Sequence, residues 1–159
     1  AYLRLAREKT PIITTEETPF EIGKGNIVWQ SDHGVAQVGI IATGALVHKA
    51  LMVAKELEKE NIKIKVLNIH TIKPLDVEAI EKLARETRAI VTVEEHQIAG
   101  GLGSAVAEYL AKVYPVPIEF VGVKDVFGQS GTPSELIEHY GMGEKDISEA
   151  VEKVLGRKV

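Results

Sequence analysis

Short apolar runs alternate with helical periods along most of this chain. Ile27–Gln30 reads as a short strand, and Ser31–Gly34 (SDHG) as a turn, because Ser, Asp and Gly favour such geometry. Gln37–Ala42 is apolar almost throughout, the pattern of a strand buried on both faces. From Gly44 to about Glu60 the period changes. Leu46, Val47, Ala50, Leu51, Ala54 and Leu57 fall on one face, with Lys55, Glu56, Lys59 and Glu60 mostly away from it, which predicts an amphipathic helix. The cycle then repeats. Lys65–Ile69 is a strand, Asp76 caps a helix carrying Val77, Ile80, Leu83 and Ala84, and Ala89–Val93 is the next strand. A helix over Ser104–Val113 follows, packing through Ala105, Val106, Tyr109, Leu110 and Val113. Pro115 and Pro117 punctuate its exit into a strand at Ile118–Val121.

The last region changes character. Asp125–Gly131 (DVFGQSG) reads as a loop that feeds TPSE. There Thr132 can cap, Pro133 suits the first helical position and Glu135 completes a capping box. The short helix through Leu136, Ile137 and Tyr140 stops at Gly141, and a final helix through Ile147, Val151, Val154 and Leu155 ends at Gly156. Strands alternating with helices at this spacing indicate βαβ units, hence an α/β fold of three layers with a mostly parallel sheet.

Before Asn26 the pattern is different. Tyr2–Ala6 looks like a strand with no neighbour, and Thr10–Gly25, with Pro11, Pro19, Gly23 and Gly25, has the composition of a linker. The compact part is therefore expected to start near Asn26. The chain opens on Ala1 rather than Met, which leaves two readings open: a piece cut from something larger, or a processed or engineered start.

Composition narrows the function classes. The 159 residues suit one domain with a sizeable core, and a net charge of −4 gives no reason to expect nucleic-acid or membrane partners. With no cysteine, disulfides, thiolate metal sites and cysteine nucleophiles are excluded. No apolar run approaches the ~20 residues that span a bilayer, and no secretory signal opens the chain, so a cytoplasmic location is expected. The scarcity of cysteine and amides, with Lys/Glu-rich helices, fits a thermophilic source.

Candidate chemistry concentrates in Val91–Val106, VTVEEHQIAGGLGSAV, where a strand runs into carboxylates, a histidine and a glycine-rich turn. This is the edge of an open α/β sheet where ligands bind. A dinucleotide fingerprint needs a third glycine, but after Gly101 and Gly103 that position holds Val106. Glu94 and Glu95 would also repel a phosphate at this helix start. The glycines are expected instead to permit a tight turn through positive φ angles. Glu94, Glu95 and His96 have acid–base potential, yet as consecutive strand residues they alternate in direction, so at most Glu94 and His96 share a face. A structural or interface role is favoured for them. His33, His48, His70, His96 and His139 are scattered one per segment without metal-ligand spacing, and Ser104 and Ser130 lack a nucleophile elbow. No phosphate-binding GxxxxGK[ST] loop occurs. A free-standing domain that binds a small ligand through Val91–Val106 stays open as a reading at this point.

Four stretches in order, VGIIATGALVHKAL, NIHTIKPLD, VTVEEHQIAGGLGSAVAE and FGQSGTPSEL, resemble the C-terminal domain of transketolase-like thiamine diphosphate enzymes, over about Ile27–Leu155. Within that superfamily the resemblance is to transketolase in its short form, encoded as separate N- and C-terminal sections. TIKPLD and GGLGSA are shared with deoxyxylulose-phosphate synthases and with β subunits of 2-oxo-acid dehydrogenases, whose matching domain helps dock an acyltransferase core. FGQSGTP and the LAR at Leu5–Arg7 lean toward transketolase. The resemblance implies a five-stranded mixed sheet whose first strand is antiparallel at an edge, away from the second strand. It implies that residues 1–25 are the tail of a pyrimidine-binding domain plus linker and that residues 26–159 are the C-terminal domain. It implies a dimeric enzyme transferring two-carbon ketol units between sugar phosphates, with thiamine diphosphate and a divalent ion such as Mg held by the catalytic domains. Those domains are the implied partners; neither the GDG-type metal motif nor the activating glutamate occurs here. This chain alone is thus expected to bind no cofactor and to be inactive. The resemblance places Arg7 on a substrate phosphate, which a guanidinium suits, against the alternative of a solvated charge beside a linker. Glu95, His96 and Gln97 are expected to meet another domain or subunit.

Overall fold

The computed structural model describes residues 1–6, 9–32 and 34–158. Its elements are β1 (Asn26–Gln30), β2 (Val38–Ala42), α1 (Leu46–Lys59), β3 (Ile64–Asn68), α2 (Val77–Thr87), β4 (Ile90–Gln97), α3 (Leu102–Val113), β5 (Ile118–Val123), α4 (Pro133–His139) and α5 (Glu144–Gly156). The strands form one sheet in the order β1-β3-β2-β4-β5. β3, β2, β4 and β5 are parallel, and β1 runs antiparallel to β3 at the edge. SDHG therefore does not close a hairpin onto β2. Instead Ser31, on leaving β1, exchanges hydrogen bonds with Ile64 at the start of β3.

Alternation along the strands builds two cores. Val38, Ile40 and Ala42 of β2, with Val91 and Val93 of β4, pack against α1 and α5 through Leu46, Ala50, Ile147 and Val151. Ile41, Leu67 and Ile90 face the other way, onto Ile80, Leu83, Val106 and Leu110 of α2 and α3. Every residue of β2 is buried, which is why its sequence shows no alternation. Asp76 caps α2 by accepting from the Ala79 amide at 3.1 Å, and Thr132 and Glu135 form the expected capping box on α4.

Two expectations change. Tyr2–Ala6 is no strand: Tyr2, Leu3 and Leu5 are exposed, and among the described residues no strand pairs with the segment. Its described tie is a hydrogen bond from the Arg4 guanidinium to the Glu95 carbonyl at 2.9 Å. An apolar alternation cannot become a strand without a partner ladder. In addition, β4 does not stop at Val93. It continues through Gln97, which pairs with Val123 after a register shift, so polar EEHQ is strand despite its composition. The stretch from Thr10 to Gly25 carries no helix or strand, as its composition indicates. It is tied down by bonds from the Gly25 amide to Asp76 and from the Asn26 side chain to the Pro19 carbonyl, both 2.7 Å.

Candidate functional site

Thr92 and Glu94 follow Ile90 on the face of β4 that looks toward α3, so the chain delivers the Glu94 carboxylate beneath the start of that helix. Glu94 is 2% exposed. One of its oxygens accepts from the Leu102 amide and the other from the Gly103 amide, each at 2.7 Å. These are two of the orphan donors that open any helix, and the helix dipole adds to their attraction for an anion. Glu94 therefore sits where a phosphate would sit in a nucleotide-binding turn. α3 accordingly begins at Leu102, earlier than the apolar period from Ser104 indicates.

The glycines serve this arrangement in a different way from the expected one. Gly101 has φ −92°, which any residue adopts, and Gly103 lies within the helix. A Cβ on Gly101 would lie 2.1 Å from Glu94 Oε2, and one on Gly103 would lie 2.7 Å from both Thr92 Oγ1 and Phe120 Cδ1. Close approach, not positive φ, excludes side chains at these two positions. Only Gly100 of the turn has positive φ, at 81°. Ser104 closes the turn by donating to the Ile98 carbonyl at 2.8 Å and accepting from the Gly100 amide at 2.9 Å. It is a brace, which leaves no free hydroxyl for a nucleophile.

Beyond Glu94 the strand emerges. Glu95 and His96 are exposed. His96 Nδ1 lies 2.9 Å from the Gln97 carbonyl and 3.9 Å from Glu94 Oε2, so the two side chains do share a side of the strand end. Gln97 is half-buried and works within the domain: its side chain accepts from the Asp125 amide at 2.8 Å and donates to the Val126 carbonyl at 3.3 Å. The other histidines do not converge on this edge. His48 is half-buried on α1, His70 stacks on Phe20 at 4.6 Å, and His139 pairs with Gln129 at 2.6 Å. Ser130 is exposed in the loop after β5. Arg7 and His33 lie outside the described residues. Among the described residues, no three His, Asp or Glu side chains are grouped to hold a metal.

The charged networks that the pattern of the sequence did not reveal lie elsewhere. Glu119 on β5 is nearly buried and accepts from Lys153 at 2.7 Å and from Arg157, both on or just after α5. Burial opposes its ionisation, but the hydrogen bonds and charges of the two cations outweigh that and hold its carboxyl below the usual range. Since the folded value is the lower one, this group's stabilisation is complete above the unfolded value near about 4.3 and is lost as pH falls through the folded value. Lys153 and Arg157 are 68% and 51% exposed, so removing their partner strands no buried charge. Glu119→Gln is expected to cost about 1–2 kcal/mol at about pH 7 and much less at about pH 3. Urea unfolding at both pH values measures this, and an equal cost at the two would contradict the assignment. A second network joins Tyr109 and Arg85 to Glu81 at 2.8 Å each, above an open groove between α2 and α3. The hydrogen bond from Tyr109 lowers the Glu81 carboxyl and raises the phenol.

These observations describe a domain whose glycine-rich turn is closed by its own carboxylate. The family model for the transketolase C-terminal domain matches residues 23–147. The chain belongs to that family. Among relatives of this transketolase C-terminal domain, a 6-deoxy-6-sulfo-D-fructose transketolase subunit of Clostridium sp. (strain MSTE9) is 41% identical over 157 residues, covering 99% of this chain and 48% of its own length. A putative transketolase C-terminal section of Methanocaldococcus jannaschii is 39% identical, covering 94% of this chain and 46% of its own length. A solved structure titled split gene transketolase, inactive beta4 tetramer, superimposes with TM-score 0.89 at 43% identity, over 96% of this chain and 49% of that one. The chain spans about half the length of these relatives. The shared fold is the five-stranded sheet with one antiparallel pair described above. No helix among the described residues is long and apolar enough to cross a membrane.

Proposed function

We propose that this domain is the C-terminal portion of a transketolase that moves a two-carbon ketol unit between sugar phosphates, and that within it the domain is structural. The observation that carries the structural role is Glu94. The turn best placed to receive a diphosphate already binds a carboxylate through both of its oxygens. Thiamine diphosphate therefore does not fit this turn. In the assembled enzyme that cofactor, with its divalent ion, is held by the catalytic domains, where it supplies the electron sink for carbon–carbon bond cleavage. The split-gene relatives support a partner that brings those domains. Residues 1–25 serve as tail and linker toward them, and Arg7, in the LAR match, contacts a substrate phosphate. Exposed Glu95 and His96 meet another domain or subunit. Gln97 contributes indirectly, by fixing the loop at Asp125 and Val126. The working unit is a cytoplasmic dimer.

One relative is named for 6-deoxy-6-sulfo-D-fructose, so the substrate is tested by class. With ribose 5-phosphate and xylulose 5-phosphate, plus thiamine diphosphate and Mg2+, this chain alone is expected to give no turnover. Adding the catalytic domains should produce sedoheptulose phosphate. Turnover by the chain alone would overturn the structural role. Turnover of pyruvate with glyceraldehyde 3-phosphate by the assembled enzyme would favour the synthase relatives instead.

A further inference from the structure

From Lys124 to Glu135 every residue is exposed, and α4, which begins within this stretch at Pro133, contains no buried residue. At the tip of this segment Phe127 is 99% exposed, with Val126 beside it at 49%. One exposed apolar residue is ordinary on a protein surface; what stands out here is a fully solvated ring, with an apolar neighbour, on a loop whose backbone is held by side chains from two other parts of the chain.

The ring sits on a loop held from both sides. Gln97 grips the Asp125 amide and the Val126 carbonyl, the Tyr140 hydroxyl donates to the Phe127 carbonyl at 3.0 Å, and Gln129 bonds His139. The capping box fixes Thr132 at the far end. Nothing in this bonding uses the Phe127 side chain. A restrained backbone that offers a free ring loses little conformational entropy when the ring is buried, which is the property of an interface anchor.

The same edge of the sheet carries the start of the chain. Arg4 bonds the Glu95 carbonyl, two residues before Gln97 reaches across to Val126. Tyr2, Leu3 and Leu5 are 94%, 79% and 78% exposed. The exposed arm, Glu95, His96 and the Val126–Phe127 tip thus follow one another around the end of β4. The relatives are about twice the length of this chain.

We infer that Phe127 is the anchor through which this domain docks the catalytic half that accompanies it, the docked surface running from the Tyr2–Leu5 arm across Glu95 and His96 to the Phe127 loop. The inference rests on the proposed assembly and adds to it the contact that fixes the domain's position. The occupant is a surface with an apolar recess for one phenyl ring, flanked by polar partners for Glu95 and His96.

Hydroxyl-radical footprinting with mass-spectrometric readout tests this without a variant that might misfold. It compares the 159-residue chain with the enzyme that also carries the catalytic half. Oxidation of Phe127 is expected to fall on the order of tenfold in the longer protein, as for a side chain buried at an interface core. Tyr114, which lies between α3 and β5 at the amino ends of the parallel strands and carries Arg85 over its ring, should be unchanged. If Tyr2 and His96 become protected while Phe127 stays reactive, the assembly stands and the anchor is refuted. If none is protected, the assembly reading itself fails. Concentration-dependent protection of Phe127 in the short chain would identify a second copy as the occupant and overturn the inference. A matching variant pair sharpens the result. In the longer protein, Phe127→Asp should raise the oxidation of Tyr2 and His96 by on the order of tenfold, toward the level of the short chain, and Phe127→Leu should leave most of their protection. Equal protection in both variants would also refute the anchor.

Discussion

Replacing Glu94 by alanine should lower the unfolding free energy by about 2–4 kcal/mol, because two charge-assisted hydrogen bonds disappear and two buried amides are left without acceptors. The wild-type bonds are both 2.7 Å long, to the Leu102 and Gly103 amides, and the carboxylate is 2% exposed, so water is poorly placed to substitute. Glu94→Gln should fall between wild type and alanine, because its amide offers one acceptor oxygen and turns an NH2 group toward a helix that supplies only donors. Urea unfolding gives the order directly. A loss below about 0.5 kcal/mol for Glu94→Ala would show that the carboxylate is not what holds this turn together.

The second large effect is steric. Gly101→Ala should cost about 1–3 kcal/mol, although its backbone angles suit alanine, since the new methyl would lie 2.1 Å from Glu94 Oε2 and 2.6 Å from the Gln97 carbonyl. Most of that clash is with one side chain, so it should be relieved when the side chain is absent. In the Glu94→Ala background the extra cost of Gly101→Ala should shrink, giving a coupling of about 1 kcal/mol or more in a double-mutant cycle. Strictly additive costs would mean that the glycine serves the backbone turn and not the carboxylate.

Much of the chain could be read without coordinates because its signals are local. The buried run at Val38–Ala42, the amphipathic face of α1, the Asp76 cap and the Thr132–Glu135 capping box all depend on residues within a few positions of one another. The resemblance carried by four ordered motifs went further and gave the edge position of β1, which periodicity left open. The misreadings came where long-range pairing decides. Tyr2–Ala6 has a strand pattern but no partner, whereas Glu94–Gln97 has a polar composition but joins β5 through Gln97 and Val123.

The sequence by itself determined the α/β architecture, the family and the absence of a complete nucleotide fingerprint in VTVEEHQIAGGLGSAV. It identified Glu94 as a charge that would oppose a phosphate there. Only the tertiary structure decided that Glu94 takes the place of that phosphate, and that Gly101 and Gly103 make room for it. The reason is physical. Which of two neighbouring carboxylates turns inward is set by the pleat of β4 and by the position of α3 across the sheet, and neither is encoded in the spacing of the motif. The same holds for Phe127, an ordinary apolar residue in the sequence. It becomes conspicuous only when the folded loop leaves it without a core to enter.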